Sequence, residues 1–244
     1  MKIKTAAVIP ARYGSTRFPG KVLAELCGKP MIQWVYEKAA ASIADEVIIA
    51  TDDPKVAKAV EGFGGRAVMT SPNHPSGTDR ISEAVQGLDC GIIINVQGDE
   101  PLIPTSVIDG LIRKMQEDAS IEMSTVAVPR LRSEIENDPN KVKVVFDERN
   151  FALYFSRSIV PYLREGGKDA KTYLHWGIYG YRRETLERFV RLPEGRLESC
   201  EKLEQLRALE NGHKIRVVET KYESLGVDTP EDLERVKGMF GGGA

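Results

Sequence analysis

Three cations lie in one short loop near the amino terminus of the chain. Arg12, Arg17 and Lys21 follow an apolar run, residues 5–9, that is typical of a buried strand. Ligands of open α/β sheets bind at the carboxyl ends of strands, and guanidinium and ammonium groups bind phosphate oxygens. The loop is therefore predicted to hold a polyphosphate. A solvated surface loop is the alternative for any one cation taken alone.

The loop is not one of the two common phosphate-binding motifs. Its glycines, Gly14 and Gly20, fit neither G-x-x-x-x-G-K-[ST] nor G-x-G-x-x-G. Neither a P-loop ATPase nor a dinucleotide-binding dehydrogenase is indicated.

A second polar cluster ends the most apolar predicted strand, Cys90 to Val96. The residues Gln97-Gly98-Asp99-Glu100-Pro101 follow it directly. Carboxylates at such a position need a nearby cation or a helix amino terminus, and the prolines at 101 and 104 argue against an immediate helix start. Mg²⁺ takes one or two carboxylates and completes its shell with phosphate and water oxygens. Asp99 is therefore predicted to be a magnesium ligand.

The elements that must position these groups alternate between strands and helices. Strands are predicted at 46–51, 66–69, 90–96, 123–128 and 214–219, and helices at 30–42, from 54 to about 62, from about 78, at 105–117, at 197–210 and from Pro230. This order predicts an α/β fold, with a Rossmann-like, mostly parallel central sheet and helices on both faces.

A late antiparallel β excursion interrupts this order. Residues 140–147 and 151–157 alternate in polarity across a short turn and predict a hairpin, and 173–182 is a further strand. The excursion, about 140–182, would cover a ligand, make a dimer contact or extend the sheet edge. We expect one domain over 1–240 and a disordered tail at 241–244.

Composition places the chain among ordinary globular proteins. Of its 244 residues 41% are hydrophobic and 29% charged, and the formal net charge is −2. Neither nucleic acid nor a membrane is expected as a partner. The three cysteines have no paired spacing, so neither a disulfide framework nor a zinc site is indicated, and a cytoplasmic location fits.

The string Pro10-Ala11-Arg12-x-x-Ser15-x-Arg17-x-Pro19-Gly20-Lys21 resembles the signature of sugar-acid cytidylyltransferases, which transfer CMP from CTP to an acidic sugar. Two further strings, residues 70–80 and 97–101, resemble the same family. The resemblance implies that Arg12 and Lys21 hold the CTP phosphates and act in catalysis with Asp99 and Asp228, the two carboxylates that would bind Mg²⁺. The nucleotide-binding set that it implies is Pro10, Ala11, Arg12, Ser15, Arg17, Lys21, Thr70, Ser71, Ser76 and Gln97.

Ordinary helix capping accounts for several of these residues. Ser76 or Thr78 is predicted to cap the third helix, and Thr229 and Asp232 form a capping box at the last one. Asp228 lies outside that box, and only the resemblance gives it a role.

Three later strings, 154–157, 175–182 and 201–207, resemble the branch of the family whose acceptor is 3-deoxy-D-manno-octulosonate (KDO). The resemblance implies CTP and KDO as substrates, CMP-KDO and pyrophosphate as products, a role in lipopolysaccharide biosynthesis, and a homodimer. An Arg that pairs with the sugar carboxylate is also what the chemistry requires. The sugar-binding residues that it implies are Thr78, Arg80, Arg157, His175, Tyr179, Glu204 and Gln205.

Two alternatives remain at this point. One is a cytidylyltransferase that acts on N-acylneuraminate (sialic acid), because the strings at residues 10–21 and 97–101 alone specify only the wider family. The other is a non-catalytic nucleotide-sensing module with the same fold, although the presence of both Asp99 and Asp228 argues against it.

Overall fold

The computed structural model describes residues 3–14, 18–164, 171–222 and 225–241. The chain divides into two compact units, Met1–Ile112 with Ser224–Ala244, and Arg113–Glu223. No helix among the described residues is long and apolar enough to cross a membrane.

The first unit is built on a parallel sheet. Its elements are β1 (Thr5–Pro10), a 3₁₀ helix (Lys21–Leu23), β2 (Glu25–Leu26), β3 (Lys29–Pro30), α1 (Met31–Ala40), β4 (Glu46–Thr51), α2 (Pro54–Gly62), β5 (Ala67–Met69), α3 (Gly77–Ala84), β6 (Ile92–Asn95), α4 (Thr105–Glu117), which leads into the second unit, and the last helix, α9 (Pro230–Gly241). The sheet order is β6-β1-β4-β5, and each neighbouring pair is parallel.

Burial explains why β1 and β6 lie inside this sheet. Residues 6–9 and 92–94 are all fully buried, as apolar runs of a parallel sheet covered by helices should be. The carboxyl ends of these two strands are Pro10 and Asn95, so the loops after them leave the same edge of the sheet.

A second apolar cluster holds the last helix in place. Leu26 and Met31 are buried against Val227, Leu233 and Val236. Burying such side chains stabilises the fold by roughly 1.5–3 kcal/mol each. This cluster brings the segment before α9 back to the first unit, although it is separated from the rest by more than a hundred residues of sequence.

The second unit contains the antiparallel excursion. Its elements are β7 (Met123–Leu131), α5 (Arg132–Ile135), β8 (Lys143–Phe146), β9 (Ala152–Ser156), β10 (Lys171–Arg182), α6 (Arg183–Phe189), α7 (Arg196–Glu201), α8 (Gln205–Glu210) and β11 (Ile215–Glu219). Strand β11 is parallel to β7, whereas β7–β10, β10–β8 and β8–β9 are antiparallel. The predicted fold class, a mostly parallel α/β sheet with a late antiparallel excursion, is confirmed.

One predicted helix is wrong. Residues 197–210 do not form a continuous helix, because Lys202 adopts the left-handed conformation with φ 51° and separates α7 from α8. The carbonyls of Glu201 and Lys202 accept hydrogen bonds from the guanidinium of Arg157. A long-range side chain thus takes carbonyls that a continuous helix would use itself, which a periodic sequence pattern does not reveal.

Smaller differences concern element ends and short elements. Pro30 caps α1 and is not its first residue, while Ser76 caps α3 as one of the two predicted candidates. The helices α5 and α6, the 3₁₀ helix and the β2–β3 hairpin were not predicted, since segments this short carry little periodicity.

Candidate active site

The loop after β1 begins at a tightly held backbone. The N–H of Ala11 donates to the carbonyl of Ala50 at 2.8 Å, and Ala11 is fully buried. Arg12 is exposed. The N–H of Gly20 returns to the carbonyl of Tyr13 at 2.9 Å, and its φ of 70° is the left-handed conformation that glycine adopts without strain. Ser15 and Arg17 lie outside the described residues.

Lys21 lies between the two predicted metal carboxylates. Its Nζ donates to Asp99 Oδ2 at 2.7 Å, to Asp228 Oδ1 at 2.9 Å and to the carbonyl of Val227 at 3.1 Å. The side chain of Lys21 is 13% exposed, against 29% for Asp99 and 44% for Asp228. One cation therefore neutralises part of the charge of both carboxylates.

The two carboxylates meet because their backbones are joined. The N–H of Val227 donates to the carbonyl of Asp99 at 2.9 Å, and Val227 is fully buried. Burial lowers the pKa of Lys21, but attraction and hydrogen bonds to Asp99 and Asp228 outweigh it and raise the pKa above the ordinary value. Lys21 is thus charged at any physiological pH.

These groups face a cavity of about 440 Å³, which is in the size range of small-molecule sites. Its polar lining combines cations, carboxylates and one amide: Arg12, Lys21, Arg80, Gln97, Asp99 and Asp228. Of the nucleotide-binding set, Pro10 also lines this cavity. The predicted phosphate-binding cations Arg12 and Lys21 and the predicted metal ligands Asp99 and Asp228 thus face one space.

Arg80 is held rigidly at the wall of this cavity. It is fully buried, and its Nη1 and Nη2 donate to Thr70 Oγ1 at 2.5 Å and to Asp52 Oδ2 at 2.8 Å. The Nε atom is buried and has no hydrogen-bond partner among the described residues. A buried guanidinium fixed at both terminal nitrogens presents a defined positive edge, which suits a polar ligand.

Several residues predicted to bind nucleotide have structural partners. Ser76 Oγ accepts from the N–H groups of Thr78 and Asp79, as helix caps do. Thr70 Oγ1 donates to the carbonyl of Thr51, and the Oγ of Ser71 accepts from the N–H of Asn73. Thr78, predicted to bind sugar, is buried in α3. These contacts shape the segment that carries Arg80.

In the second unit, Arg157 is tied to backbone carbonyls. Its Nε, Nη1 and Nη2 donate to the carbonyls of Glu201, Pro139 and Lys202 at 2.6, 3.0 and 3.3 Å. The carboxylate of Glu201 accepts from the Arg157 N–H and from Ser156 Oγ. All three guanidinium nitrogens thus donate to carbonyls of the protein. An arginine whose task is to bind a ligand carboxylate would not need these acceptors.

His175 and Tyr179 lie close together in the same unit, with ring centroids 5.5 Å apart. Burial lowers the pKa of His175 to about 3, so its ring is neutral at physiological pH. Burial likewise raises the pKa of Tyr179 well above its ordinary value. Both side chains therefore act as uncharged hydrogen-bonding groups.

Glu204 and Gln205 follow the break between the two short helices. Glu204 caps α8, and the carboxylate lies 3.9 Å from Arg207 Nη2. Gln205 is 6% exposed, and its Nε2 has no hydrogen-bond partner among the described residues. A buried amide without a partner is costly, so a ligand oxygen is a natural acceptor for it.

Comparison with known proteins identifies the family. The model of the family described as cytidylyltransferase matches residues 6–215. The chain belongs to the cytidylyltransferase family. Its members are nucleotidyltransferases, and this chain is therefore a nucleotidyltransferase.

Two curated relatives share the same name. The 3-deoxy-manno-octulosonate cytidylyltransferase of Geobacter metallireducens is 53% identical, and the match covers 96% of this chain and 96% of the relative. That of Thermodesulfovibrio yellowstonii is 54% identical and covers 94% of this cytidylyltransferase and 95% of the relative.

Solved structures agree with this result. A CMP:2-keto-3-deoxy-manno-octonic acid synthetase complexed with CTP superposes with a TM-score of 0.95 at 44% identity, covering 99% of this chain and 100% of the other. A 4-diphosphocytidyl-2C-methyl-D-erythritol synthase from Anaerococcus prevotii has a TM-score of 0.67 at 13% identity and covers 99% and 100% of the two chains. The second likeness shows the fold alone.

The donor set of this cytidylyltransferase fits magnesium. Asp99 and Asp228 provide hard carboxylate oxygens beside a solvent-connected cavity, which is the usual protein contribution to an Mg²⁺ site shared with phosphates. Among the described residues no cluster of three or more His, Cys, Asp or Glu forms a metal cage. The arrangement to test is an Mg²⁺ ion bound by these two carboxylates, with substrate oxygens as its remaining ligands.

Two contacts of this site were not found from the sequence. Asp52 is not among the predicted site residues, yet its carboxylate accepts a hydrogen bond from Arg80. The Val227 N–H joins Asp228 to Asp99 across more than a hundred residues. Neither contact has a local signal, because each depends on how separate elements pack together.

Proposed function

We propose that this cytidylyltransferase transfers CMP from CTP to the anomeric hydroxyl of KDO, giving CMP-KDO and pyrophosphate for lipopolysaccharide biosynthesis. The observation that carries the proposal is the Lys21–Asp99–Asp228 cluster at a cavity that also holds Arg12. It occurs in a chain that is 53% identical to an enzyme named for KDO.

The reaction needs placement and charge neutralisation more than covalent help from the protein. The anomeric oxygen forms a bond to the α-phosphorus of CTP, the bond from that phosphorus to the pyrophosphate oxygen breaks, and the hydroxyl proton passes to water. Magnesium held by Asp99 and Asp228 would neutralise phosphate charge and lower the pKa of the attacking hydroxyl. The remaining tasks belong to the side chains.

Lys21 and Arg12 are proposed to hold the triphosphate and to stabilise the leaving pyrophosphate. Lys21 is charged and already fixed by three oxygen acceptors, whereas Arg12 is exposed at the cavity. A fixed cation near the carboxylates and an exposed one at the same cavity suit the two ends of a triphosphate. Ser15 and Arg17 stay predictions for the same loop.

Gln97 is proposed as a direct nucleotide ligand, since it lines the cavity next to Asp99. For Thr70, Ser71 and Ser76 the observed hydrogen bonds support an indirect part: they fix the segment whose Arg80 lines the same cavity. Pro10 and Ala11 contribute backbone position at the end of β1.

For the sugar we propose hydrogen bonds with His175, Tyr179, Glu204 and Gln205. All four lie in the second unit, and Gln205 Nε2, which has no hydrogen-bond partner among the residues that the structure describes, supports a ligand at this group. A contact of Arg157 with the sugar carboxylate stays part of the proposal, although its nitrogens already donate to three carbonyls.

We also propose a cytoplasmic homodimer. Three large apolar side chains of the second unit, Leu131, Leu153 and Tyr162, are 43%, 63% and 80% exposed, and exposed apolar groups favour association. The three cysteines are free, which is usual in a reducing compartment. Sedimentation of the purified protein tests the dimer.

The decisive experiment is pyrophosphate release from CTP, measured with KDO, with N-acetylneuraminate and without sugar, each with Mg²⁺ and with a chelator. Release that requires both KDO and Mg²⁺ is the expected result. Release with N-acetylneuraminate instead would replace the acceptor, and release unaffected by the chelator would remove magnesium. If neither sugar supports release while CTP binds, the chain is a nucleotide-sensing module.

A further inference from the structure

Strand β10 contains an irregularity beside His175. Its pairing with β7 runs regularly to Trp176, opposite Val126, and resumes at Tyr179, opposite Thr125. The register of β10 on β7 thus shifts between these two pairs, where residues 177 and 178 lie. Such a bulge redirects side chains and locally interrupts the regular ladder.

The hydroxyl of Thr125 lies against this bulge. Its Oγ1 is 2.8 Å from the carbonyl oxygen of Ile178, 3.3 Å from that of Trp176 and 3.0 Å from His175 Nε2. Thr125 is fully buried, so the hydroxyl group has these neighbours and no bulk water to choose among.

The single hydroxyl proton decides the direction of the three contacts. A carbonyl oxygen accepts only, so an oxygen 2.8 Å from the carbonyl of Ile178 must donate its proton there or suffer repulsion between lone pairs. Once that proton is used, Oγ1 can only accept from His175. Nε2 therefore carries the ring hydrogen.

The other ring nitrogen is then an acceptor. The His175 ring is neutral, so a proton on Nε2 leaves Nδ1 with a lone pair. Around the ring lie Phe155, edge-on at 4.8 Å between centroids, and Tyr179 at 5.5 Å. Among the residues that the structure describes, no protein group hydrogen-bonds to Nδ1.

We propose that Thr125 is a positioning residue that fixes His175 as the Nε2–H tautomer, so that Nδ1 accepts a hydrogen bond from a hydroxyl group of the acceptor sugar. This inference rests on the proposed function, which gives His175 to the sugar. It adds a residue that no motif marks and a direction to the hydrogen bond. His175 selects a hydroxyl donor at this place, and not a carbonyl or ether oxygen.

The first test is the tautomer itself, read from long-range ¹H–¹⁵N spectra of the unliganded protein with ¹⁵N-labelled histidine near neutral pH. His175 is assigned by the signals lost in His175→Gln. The expected pattern is a protonated Nε2 and an unprotonated Nδ1. The opposite pattern in the wild-type protein would overturn the proposal without any variant.

The second test removes the hydroxyl. In Thr125→Val we expect a measurable fraction of the Nδ1–H tautomer, and in Thr125→Ser, which keeps the hydroxyl, the wild-type spectrum. The KM for KDO should rise about threefold to tenfold in the valine variant, as for one lost hydrogen bond, while the KM for CTP stays unchanged. A valine variant with an unchanged tautomer would refute the assignment, and one that does not fold leaves the wild-type spectrum decisive.

A double-mutant comparison separates this inference from the function beneath it. His175→Asn removes the Nε2 position, so adding Thr125→Val to it should raise the KM for KDO no further. If the tautomer is as expected but neither substitution affects KDO, the positioning by Thr125 stands and the sugar role of His175 is wrong. Equal losses for KDO and CTP in Thr125→Val would show a merely structural effect.

Discussion

The two units use charged side chains in opposite ways. In the first unit, Lys21 bridges Asp99 and Asp228 at the edge of a cavity, and these charges are partly exposed. In the described part of the second unit, the guanidinium of Arg157 donates to three backbone carbonyls, and His175 is kept neutral by burial. The charges proposed to meet phosphate and metal are paired with one another and partly exposed. Of the groups proposed for the sugar, His175 is uncharged and Arg157 is hydrogen-bonded to the fold.

The difference follows from the ligands proposed for each region. A triphosphate with Mg²⁺ carries high charge, and preorganised opposite charges stabilise its transfer with little rearrangement. Sugar hydroxyl groups are neutral, so directional hydrogen bonds from fixed neutral groups recognise them. Substituting a charged residue by a neutral one should therefore affect kcat in the first unit and the KM for KDO in the second.

The largest effect is expected from Asp99→Asn. It keeps the shape and removes a carboxylate charge, so kcat should fall at least about a hundredfold while CTP binding is largely retained. Pyrophosphate release and a CTP titration measure the two quantities. The matched control is Asp89→Asn, whose side chain is 91% exposed, and it should behave as wild type. Near-normal turnover of Asp99→Asn with Mg²⁺ would contradict the metal assignment.

Lys21→Met should lower kcat and also change how the protein responds to metal. Without the ammonium, Asp99 and Asp228 repel each other, which should destabilise the unliganded fold by roughly 1–2 kcal/mol. Mg²⁺ should then restore part of this loss. Thermal unfolding with and without Mg²⁺, but without nucleotide, measures the effect.

The control for Lys21→Met is Lys4→Met, which removes an exposed contact with Asp89. Its melting temperature should rise with Mg²⁺ no more than that of the wild type. If Mg²⁺ raises the melting temperature equally in wild type and in Lys21→Met, Mg²⁺ does not replace the positive charge of Lys21 between the two carboxylates.

Arg157→Ala should act mainly on stability. Three carbonyls lose a charged donor, and the α7–α8 break before Glu204 loosens, so we expect a loss of roughly 1–3 kcal/mol and a higher KM for KDO. A KDO analogue with a carboxamide in place of the carboxylate separates the two roles. If Arg157 acts through the fold, the variant still discriminates KDO from the analogue as wild type does.

Arg149→Ala serves as the control, because that side chain is 75% exposed, and its unfolding should change little. Loss of discrimination in Arg157→Ala, with unchanged stability, would return Arg157 to the carboxylate-binding role predicted from the sequence.

The smallest effect concerns pH. The folded-state pKa of His175 is about 3, below the unfolded value of about 6.5. As the pH falls below about 6.5 the unfolded chain binds a proton that the folded protein does not, so His175 makes stability decrease toward low pH. The free energy of unfolding changes by at most about 1.4 kcal/mol per pH unit through this one group. The change is smaller where the ring is partly exposed.

Urea unfolding at pH 6.5 and 5.0 measures this slope. His175→Gln should flatten it, since glutamine does not titrate, whereas Thr125→Ser keeps the imidazole and should retain it. A wild-type slope in His175→Gln would mean that the folded protein binds the proton as readily as the unfolded chain.

The sequence by itself determined the fold class, the reaction family and most element positions. The apolar runs of β1 and β6, the cap at Ser76 and the spacing of Arg12 and Lys21 are local or periodic signals. Elements β4 and α4 have the predicted bounds. Such features arise from interactions within a few residues, so a single sequence reveals them. Family membership then gives the reaction that the motifs indicated.

Only the tertiary structure decided how these residues are held. The joining of Asp228 to Asp99 through Val227, the clamp of Asp52 on Arg80, the break at Lys202 made by Arg157 and the contact of Thr125 with His175 all connect residues distant in the chain. Each depends on the packing of separate elements, because each hydrogen bond joins residues that are far apart in the sequence. Periodicity and spacing predict which side chains lie on one face of a strand or helix. The hydrogen-bond partner of each side chain is determined only when the elements pack together.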